Sequence, residues 1–374
     1  MLPSAETIAR LDSRFRKPLT RLLPASILTK LYSFGRSGFV SRLARDEPIP
    51  VSVPPALSRE VWGIAFRSPI FNAAGMFKNA EAYRTMYLQG AGAFLAGTTT
   101  CRPRVGNQLN GIKHPFLPYP ASGAASNWLG LPNRGHRAVA AEIAKFERFA
   151  GFPIGVSISA TPGLERSEQI SGIVDGIKAY RDAGVDFIEL NESCPNTEAG
   201  DSGVGEIEYR LATIANELER LAIGRKRVPI IVKFSTDLAI ADVPEVLALA
   251  LKYCYAGTNL GNTSVRYAEL REAIDAAEQR CFDFFTTAFG GGVSGRPLKQ
   301  RSLALIAEAH TWASRNANGP EFRLVRVGGV EHPGDVRESI SHGAALVQWY
   351  TGYFEAFSKV GHAVYADMYR GVLA

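Results

Sequence analysis

The segment Asn191-Glu192-Ser193-Cys194-Pro195-Asn196 holds the residues best suited to moving a proton. A cysteine thiol ionises near about 8.5, so a modest push from its surroundings makes it a base at neutral pH. Asn191 and Asn196 flank Cys194, and Asn127 and Asn262 carry the same side chain elsewhere. Each amide can donate and accept, as holding a flat heterocycle with alternating amide groups requires. Two lysines, Lys78 in Ala74-Gly75-Met76-Phe77-Lys78-Asn79 and Lys233 in Lys233-Phe234-Ser235, suit a cofactor that gains negative charge on reduction. Glycines in Gly290-Gly291-Gly292-Val293-Ser294-Gly295-Arg296, Gly328-Gly329 and Tyr350-Thr351-Gly352 suit phosphate, because backbone N–H groups can approach an anion with no side chain between. The other cysteines, Cys101, Cys254 and Cys281, form no C-x-x-C pair. No iron–sulfur cluster or structural zinc site, and no metal, is therefore expected.

These residues need a scaffold that brings them to one place. From residue 69 onward, short β-prone runs alternate with helix-prone stretches. The runs are Ile70–Ala74, Ala93–Thr98, Ile154–Ser159, Phe187–Asn191, Ile230–Ser235, Tyr255–Leu260, Leu324–Val330 and Ala345–Tyr350. Most are apolar throughout, as strands covered on both faces are. Helices are expected between them, for example at Ser167–Ala183 and Glu206–Leu221. Strand–helix alternation implies a parallel sheet, and eight units imply an α/β fold closed as a (β/α)8 TIM barrel. An open doubly wound sheet is the rival. In a parallel barrel the active site forms at the C-terminal strand ends, where the polar and glycine residues named above fall. Long insertions after the second and sixth runs (99–152 and 261–323) are expected at the barrel mouth.

The composition, 46% hydrophobic and 21% charged over 374 residues, is ordinary for a soluble globular enzyme. No long uncharged apolar run suggests a transmembrane helix, and the N-terminus lacks the pattern of a secretory signal. The net charge of +6 is local: residues 1–47 hold nine basic and four acidic residues, hence +5, which leaves a nearly neutral body and argues against nucleic acid. We therefore divide the chain into a basic amphipathic helical extension (1–48) and a cofactor-binding barrel (49–374). Ile8, Leu11, Phe15, Leu19 and Leu22 form one helical stripe, with Pro18 expected to interrupt it. Ile27, Leu28, Leu31, Phe34 and Phe39 form a second, loosened by Gly35 and Gly38. Such an arm can lie in a membrane interface, pack on its own barrel, or mediate a homodimer; the sequence leaves all three open.

Together these segments resemble the dihydroorotate dehydrogenase family of FMN barrels over roughly residues 65–355. The resemblance is carried by Ala74 through Glu81, Gly97-Thr98, Arg102-Pro103-Arg104-Val105-Gly106-Asn107, Asn127-Trp128-Leu129-Gly130-Leu131-Pro132-Asn133 and Asn191 through Asn196. It continues in Gly292 through Leu298, Val327-Gly328-Gly329-Val330 and Val347 through Gly352. It implies FMN-dependent oxidation of dihydroorotate to orotate in pyrimidine synthesis. Cys194 would take the proton from C5 while hydride leaves C6. Lys78, Asn127, Asn191, Asn196, Asn262 and Thr263 would hold the pyrimidine and its carboxylate, beside Trp128, Leu129, Gly130 and Leu131 of the substrate loop. Asn259 is an alternative to Asn262. For the cofactor it implies Ala74, Gly75, Lys78, Thr98, Ser157, Asn191, Lys233, Gly261, Ser294, Gly295, Gly328, Gly329, Tyr350 and Thr351. Lys233 would lie near N1, and Gly295, Gly329, Tyr350 and Thr351 at the ribityl-phosphate end.

The sequence also mixes two branches of that family. Cys194 and Gly130-Leu131-Pro132-Asn133 are similar to the soluble, cysteine-base branch. The arm, Lys78-Asn79-Ala80-Glu81 and Arg102-Pro103 are similar to the membrane-associated, quinone-using branch. Ser157 stands where the family usually has asparagine, and Gly261 where quinone-using relatives have threonine. The acceptor expected is quinone, reached through the arm, with the protein on the cytoplasmic side and peripheral on the membrane. Fumarate or NAD as acceptor, a related dihydropyrimidine or dihydrouridine substrate, and a flavin-free membrane scaffold are the competing readings.

Overall fold

The computed structural model describes residues 3–192, 204–221, 228–317 and 322–374. Its centre is a parallel eight-stranded barrel: β1 (Ile70–Asn72), β2 (Phe94–Thr99), β3 (Ile154–Ile158), β4 (Phe187–Asn191), β5 (Ile230–Phe234), β6 (Gly257–Leu260), β7 (Arg323–Val327) and β8 (Leu346–Trp349). Hydrogen-bonded neighbours run β1-β8-β7-β6-β5-β4-β3-β2, so the two ends of the ladder are β1 and β2. They are drawn together by Asn72, whose amide donates to the Leu95 carbonyl (2.8 Å) and accepts from the Leu95 amide (3.2 Å). This side chain supplements backbone bonds across the seam, the Gly92 amide on the Ile70 carbonyl (2.9 Å) and the Gly97 amide on the Phe77 carbonyl (3.1 Å), and satisfies groups that burial would otherwise leave unpaired. All eight expected strands are present, and the helices Arg166–Asp182 and Val204–Arg220 lie where helices were expected.

The barrel is a packed core with a bottom and a mouth. Phe71, Leu95, Phe187, Ile231, Val325 and Leu346 fill its lower interior. The hairpin Arg59–Val61/Ile64–Phe66 closes the base, with Phe66 tilted against Phe187 at 5.9 Å and the Trp62 indole donating to the Ala256 carbonyl at 2.8 Å. Burying each such aromatic contributes about 1.5–3 kcal/mol, which makes the lower barrel a rigid platform. At the mouth the two insertions meet. Strand Ala124–Asn127 pairs antiparallel with Phe116–Tyr119 on one side and with Gly292–Gly295 on the other. This small sheet sets Asn127 beside Gly292 and Ser294 beside Ala125, joining segments far apart in sequence.

The N-terminal arm folds as α1 (Ala5–Leu22) and α2 (Ala25–Leu43). Ser4 caps α1 by accepting from the Thr7 amide at 3.2 Å. The break expected at Pro18 does not occur: α1 runs through it to Leu22. Proline near the end of a helix removes one internal bond, and here the final turn is still closed by the Leu23 amide on the Leu19 carbonyl (2.9 Å). The arm packs on the barrel through small and polar residues together with a few large apolar ones: Leu28 and Leu43 are fully buried, and Phe39 meets Phe354 and Phe357 edge-on at 6.0 and 6.1 Å. Arg16 meets Glu355 at 2.6 Å, and the Ser33 hydroxyl accepts from the Phe116 amide at 3.0 Å. Most of the other large apolar residues of the two stripes face outward, Leu22 at 79% and Phe34 at 86% exposure, with Leu11, Phe15, Ile27 and Leu31 also exposed. None of the described helices is long and apolar enough to cross a membrane.

Candidate active site

The C-terminal ends of the strands surround one pocket. Eighteen of the residues expected at the site line it: Ala74, Gly75, Lys78, Thr98, Asn127, Leu129, Gly130, Leu131, Asn191, Lys233, Asn262, Thr263, Ser294, Gly295, Gly328, Gly329, Tyr350 and Thr351. Three do not. Trp128 packs its ring on Phe289, 6.3 Å between centroids. Ser157 lies beneath the lining, its hydroxyl 3.0 Å from that of Thr98. Gly261 has φ +130° and sits so close to β7 that a Cβ would strike the Val327 carbonyl oxygen, so glycine there serves strand packing. Cys194 and Asn196 lie outside the described residues.

Register explains which side chains converge. Asn191 on β4 lies opposite Lys233 on β5, and Lys233 opposite Asn259 on β6. Asn191 is almost fully buried; its amide lies 3.4 Å from the Thr98 hydroxyl, and its carbonyl accepts from Ser159 at 3.2 Å. Asn262 follows β6, its backbone clasped by the Thr236 hydroxyl at 2.6 and 2.7 Å. Of the two asparagines weighed for the substrate amide, Asn262 lines the pocket; Asn259 is buried below and donates to Glu189 at 2.7 Å. Asn127 is held by donation to the Gly292 carbonyl at 3.2 Å.

The loop after Asn127 is pinned from several sides. Asn133 accepts from the Thr100 and Gly135 amides (3.2 and 2.8 Å) and donates to the Thr100 hydroxyl (2.9 Å). Arg104 donates to the Gly130 carbonyl at 3.1 Å. Leu131 is held at φ +54°, a conformation costing a non-glycine residue of order 1–3 kcal/mol that only such bracing maintains. Under the loop, His136 pairs with Thr99 at 2.9 Å, and burial pushes its pKa down to about 3, so the imidazole is neutral.

At the opposite edge the pocket wall is bare backbone. Gly295 (φ +99°) and Gly329 (φ +73°) adopt conformations that favour glycine, and a Cβ on Gly329 would come within 2.5 Å of the Lys299 backbone. Beside them begins the helix Thr351–Val360, whose first residue shares a 2.9 Å hydrogen bond with Ser294. Glycine backbone next to a helix N-terminus is a favourable setting for a phosphate.

The floor is charged. Lys233, 3% exposed, lies 3.3 Å from Glu189, which is fully buried and accepts from Asn259 and from Gln348 (2.9 Å). At the mouth, Arg36 of α2 donates to the Tyr350 hydroxyl (2.9 Å) and the Gly75 carbonyl (3.3 Å). Sequence reasoning missed Glu189, Gln348 and Arg36. Glu189 left a readable signal, a carboxylate in the middle of the apolar run Phe187-Ile188-Glu189-Leu190; Arg36 was one basic residue among nine in the arm.

Comparison with known proteins places the site in context. The sequence model of the dihydroorotate dehydrogenase family matches residues 56–369. A protein of Thermus thermophilus named dihydroorotate dehydrogenase (quinone) is 34% identical over 306 residues, 80% of this chain and 78% of that one. Its namesake in Sinorhizobium medicae is 33% identical over 305 residues, 79% and 76% of the two chains. Another, in Myxococcus xanthus, is 30% identical over 333 residues, 89% and 85%. Among solved structures, that of Eimeria tenella DHODH in complex with ferulenol superposes with a TM-score of 0.75 at 22% identity, covering 91% of this chain and 90% of that one. At that identity the superposition supports the barrel fold alone.

Proposed function

This chain belongs to the dihydroorotate dehydrogenase family, and we propose from that premise that it oxidises dihydroorotate to orotate, using FMN, and passes the electrons to quinone. The observation that carries this reading is the single pocket gathering Lys78, Asn127, Asn191, Lys233 and Asn262 opposite a glycine-lined edge. That pocket fits FMN. The bare backbone at Gly295 and Gly329 and the start of the helix Thr351–Val360 suit the phosphate, and the Lys233 ammonium suits a ring that takes up negative charge. Ala74, Gly75, Thr98, Ser294, Gly328 and Tyr350 complete the cofactor walls, and Leu129, Gly130, Leu131 and Thr263 border the substrate.

Bound FMN supplies the acceptor for the hydride that leaves C6 of the substrate. The protein's own residues do the rest. Cys194 takes the proton from C5, a role for which a thiol needs only modest activation. The asparagine amides fix the ring and its imide edge, each matching a donor and an acceptor. Lys78 offers a cation to the carboxylate. Lys233 holds fixed positive charge where negative charge develops, an arrangement that lowers a barrier without reorganisation.

The barrel (49–374) thus carries the chemistry, and the basic extension (1–48) serves the acceptor. Two features support this role. The outward apolar face of Leu11, Phe15, Leu22, Ile27, Leu31 and Phe34 suits peripheral contact with the cytoplasmic face of a membrane, where quinone dissolves. Arg36 links α2 directly to the pocket mouth. Assay of dihydroorotate oxidation with a ubiquinone analogue, fumarate and NAD tests the acceptor: turnover should be fastest with the quinone. Faster turnover with fumarate or NAD would overturn that assignment.

A further inference from the structure

Glu189 stands out among the buried charges. It is fully buried on β4, and it does not line the pocket. One oxygen lies 3.3 Å from the Lys233 ammonium; the other accepts from Asn259 (2.7 Å) and Gln348 (2.9 Å). Residues from β4, β5, β6 and β8 therefore meet at a single carboxylate across the barrel. Directly below is the apolar layer of Phe71, Phe187, Ile231, Val325 and Leu346. Leucine at this position would continue that layer at no desolvation cost, whereas a buried carboxylate is costly and rarely adds net stability. Its placement behind the one cation on the pocket floor, among the described residues, gives it a different use.

We propose that Glu189 is a positioning residue that sets the electrostatics of the cofactor site: it fixes the Lys233 ammonium and offsets part of its field. The inference rests on the reading that the pocket holds FMN. A lysine alone would favour the electron-rich reduced cofactor strongly. The opposing charge behind it weakens that preference, so electrons are taken from substrate yet still released to the acceptor. Asn259 and Gln348 hold the carboxylate so that Lys233 cannot pull it out of line.

The test is the reduction potential of the bound flavin in purified holoprotein, measured for wild type, Glu189→Gln, Lys233→Met and the double variant. Glu189→Gln keeps the side-chain volume and removes the charge. It should raise the potential, shifting the oxidised-to-reduced ratio against a reference dye on the order of tenfold. Flavin reduction by dihydroorotate should then quicken while reoxidation slows, and Glu189→Asp should restore part of the wild-type value. Lys233→Met should lower the potential, and the double variant should sit above Lys233→Met. An unchanged potential in flavin-loaded Glu189→Gln overturns the proposal. If that variant does not fold, the double variant decides: a potential equal to that of Lys233→Met overturns it equally. A wild-type protein that binds no flavin would refute the cofactor reading instead, a separate outcome.

Discussion

Gly329 offers the sharpest test of the phosphate edge. Its φ is +73°, where an L side chain costs roughly 1–2 kcal/mol. A Cβ there would lie 2.5 Å from both the Cα and the N of Lys299 and 2.7 Å from its Cβ. Carbon atoms in favourable contact sit about 3.5–4.0 Å apart, so the overlap is about an ångström and falls on backbone at the start of a helix. Relief by backbone shift costs typically about 1–3 kcal/mol, giving a total of about 2–5 kcal/mol for Gly329→Ala. With an unfolding entropy of about 2.1 cal/mol/K per residue over 374 residues, that corresponds to a fall in Tm of about 3–6 °C. Because the relief moves either Gly328–Gly329 or the Lys299 turn, flavin affinity should fall on the order of tenfold or more, read by ultrafiltration and absorbance. The control is Gly334→Ala, in the first turn of the helix Pro333–Ser341, where a Cβ meets nothing within 4 Å. That variant should keep its flavin and its Tm. Gly329→Ala with wild-type flavin affinity and Tm would refute the idea that bare backbone here shapes the cofactor site.

Three further predictions use other parts of the structure. Cys194→Ala should retain flavin and lose about 10²- to 10⁴-fold of its turnover at neutral pH; near-normal anaerobic flavin reduction by dihydroorotate would remove Cys194 as the base. Arg16→Met leaves Glu355, whose pKa burial already raises against the pull of Arg16, without its 2.6 Å partner, at a cost of up to about 3 kcal/mol in arm docking. Trypsin should then cut within residues 1–47 faster than in wild type, with Arg16→Met/Glu355→Gln partly protected again; equal cutting of wild type and Arg16→Met would show that the pair does not hold the arm. Burial holds His136 down to about 3 in the folded protein, below its ordinary value of 6.5, so the unfolded chain binds the extra proton first. Its contribution is therefore full above about pH 6.5 and is lost as pH falls toward 3, amounting to about 2–3 kcal/mol by pH 4.5. Denaturant titrations should show a smaller loss between pH 7.5 and 4.5 for His136→Gln; an identical loss would mean that His136 does not drive acid sensitivity.

The barrel was legible because strands covered on both faces must be apolar throughout, and eight such runs separated by helices have few ways to pack. Five of the eight strand ends are read one to three residues long, as at Leu324–Val330 against the observed Arg323–Val327, because glycine and polar rim residues continue the apolar run without the ladder. The rim residues were legible for the same reason: Lys78, Asn191, Lys233 and Tyr350 follow or end strands, and strand ends meet. Pairings between distant segments were not. Nothing local links Ala124–Asn127 to Gly292–Gly295, yet that ladder places Asn127 and Ser294 at the pocket. Alternation along β6 put Asn259 inside the barrel with Glu189, a distinction that depends on register. The arm's helices followed from periodicity, but their orientation did not: the apolar stripes are split, Leu28 and Phe39 docking beside small and polar residues while Leu11, Phe15, Leu22, Ile27, Leu31 and Phe34 face out.

The central claim is tested most directly by adding dihydroorotate to the purified protein without oxygen and following flavin absorbance. The account predicts a protein yellow with tightly bound FMN, bleached by dihydroorotate with one orotate formed per flavin. A colourless protein, or bound flavin that stays oxidised in saturating dihydroorotate, would contradict it.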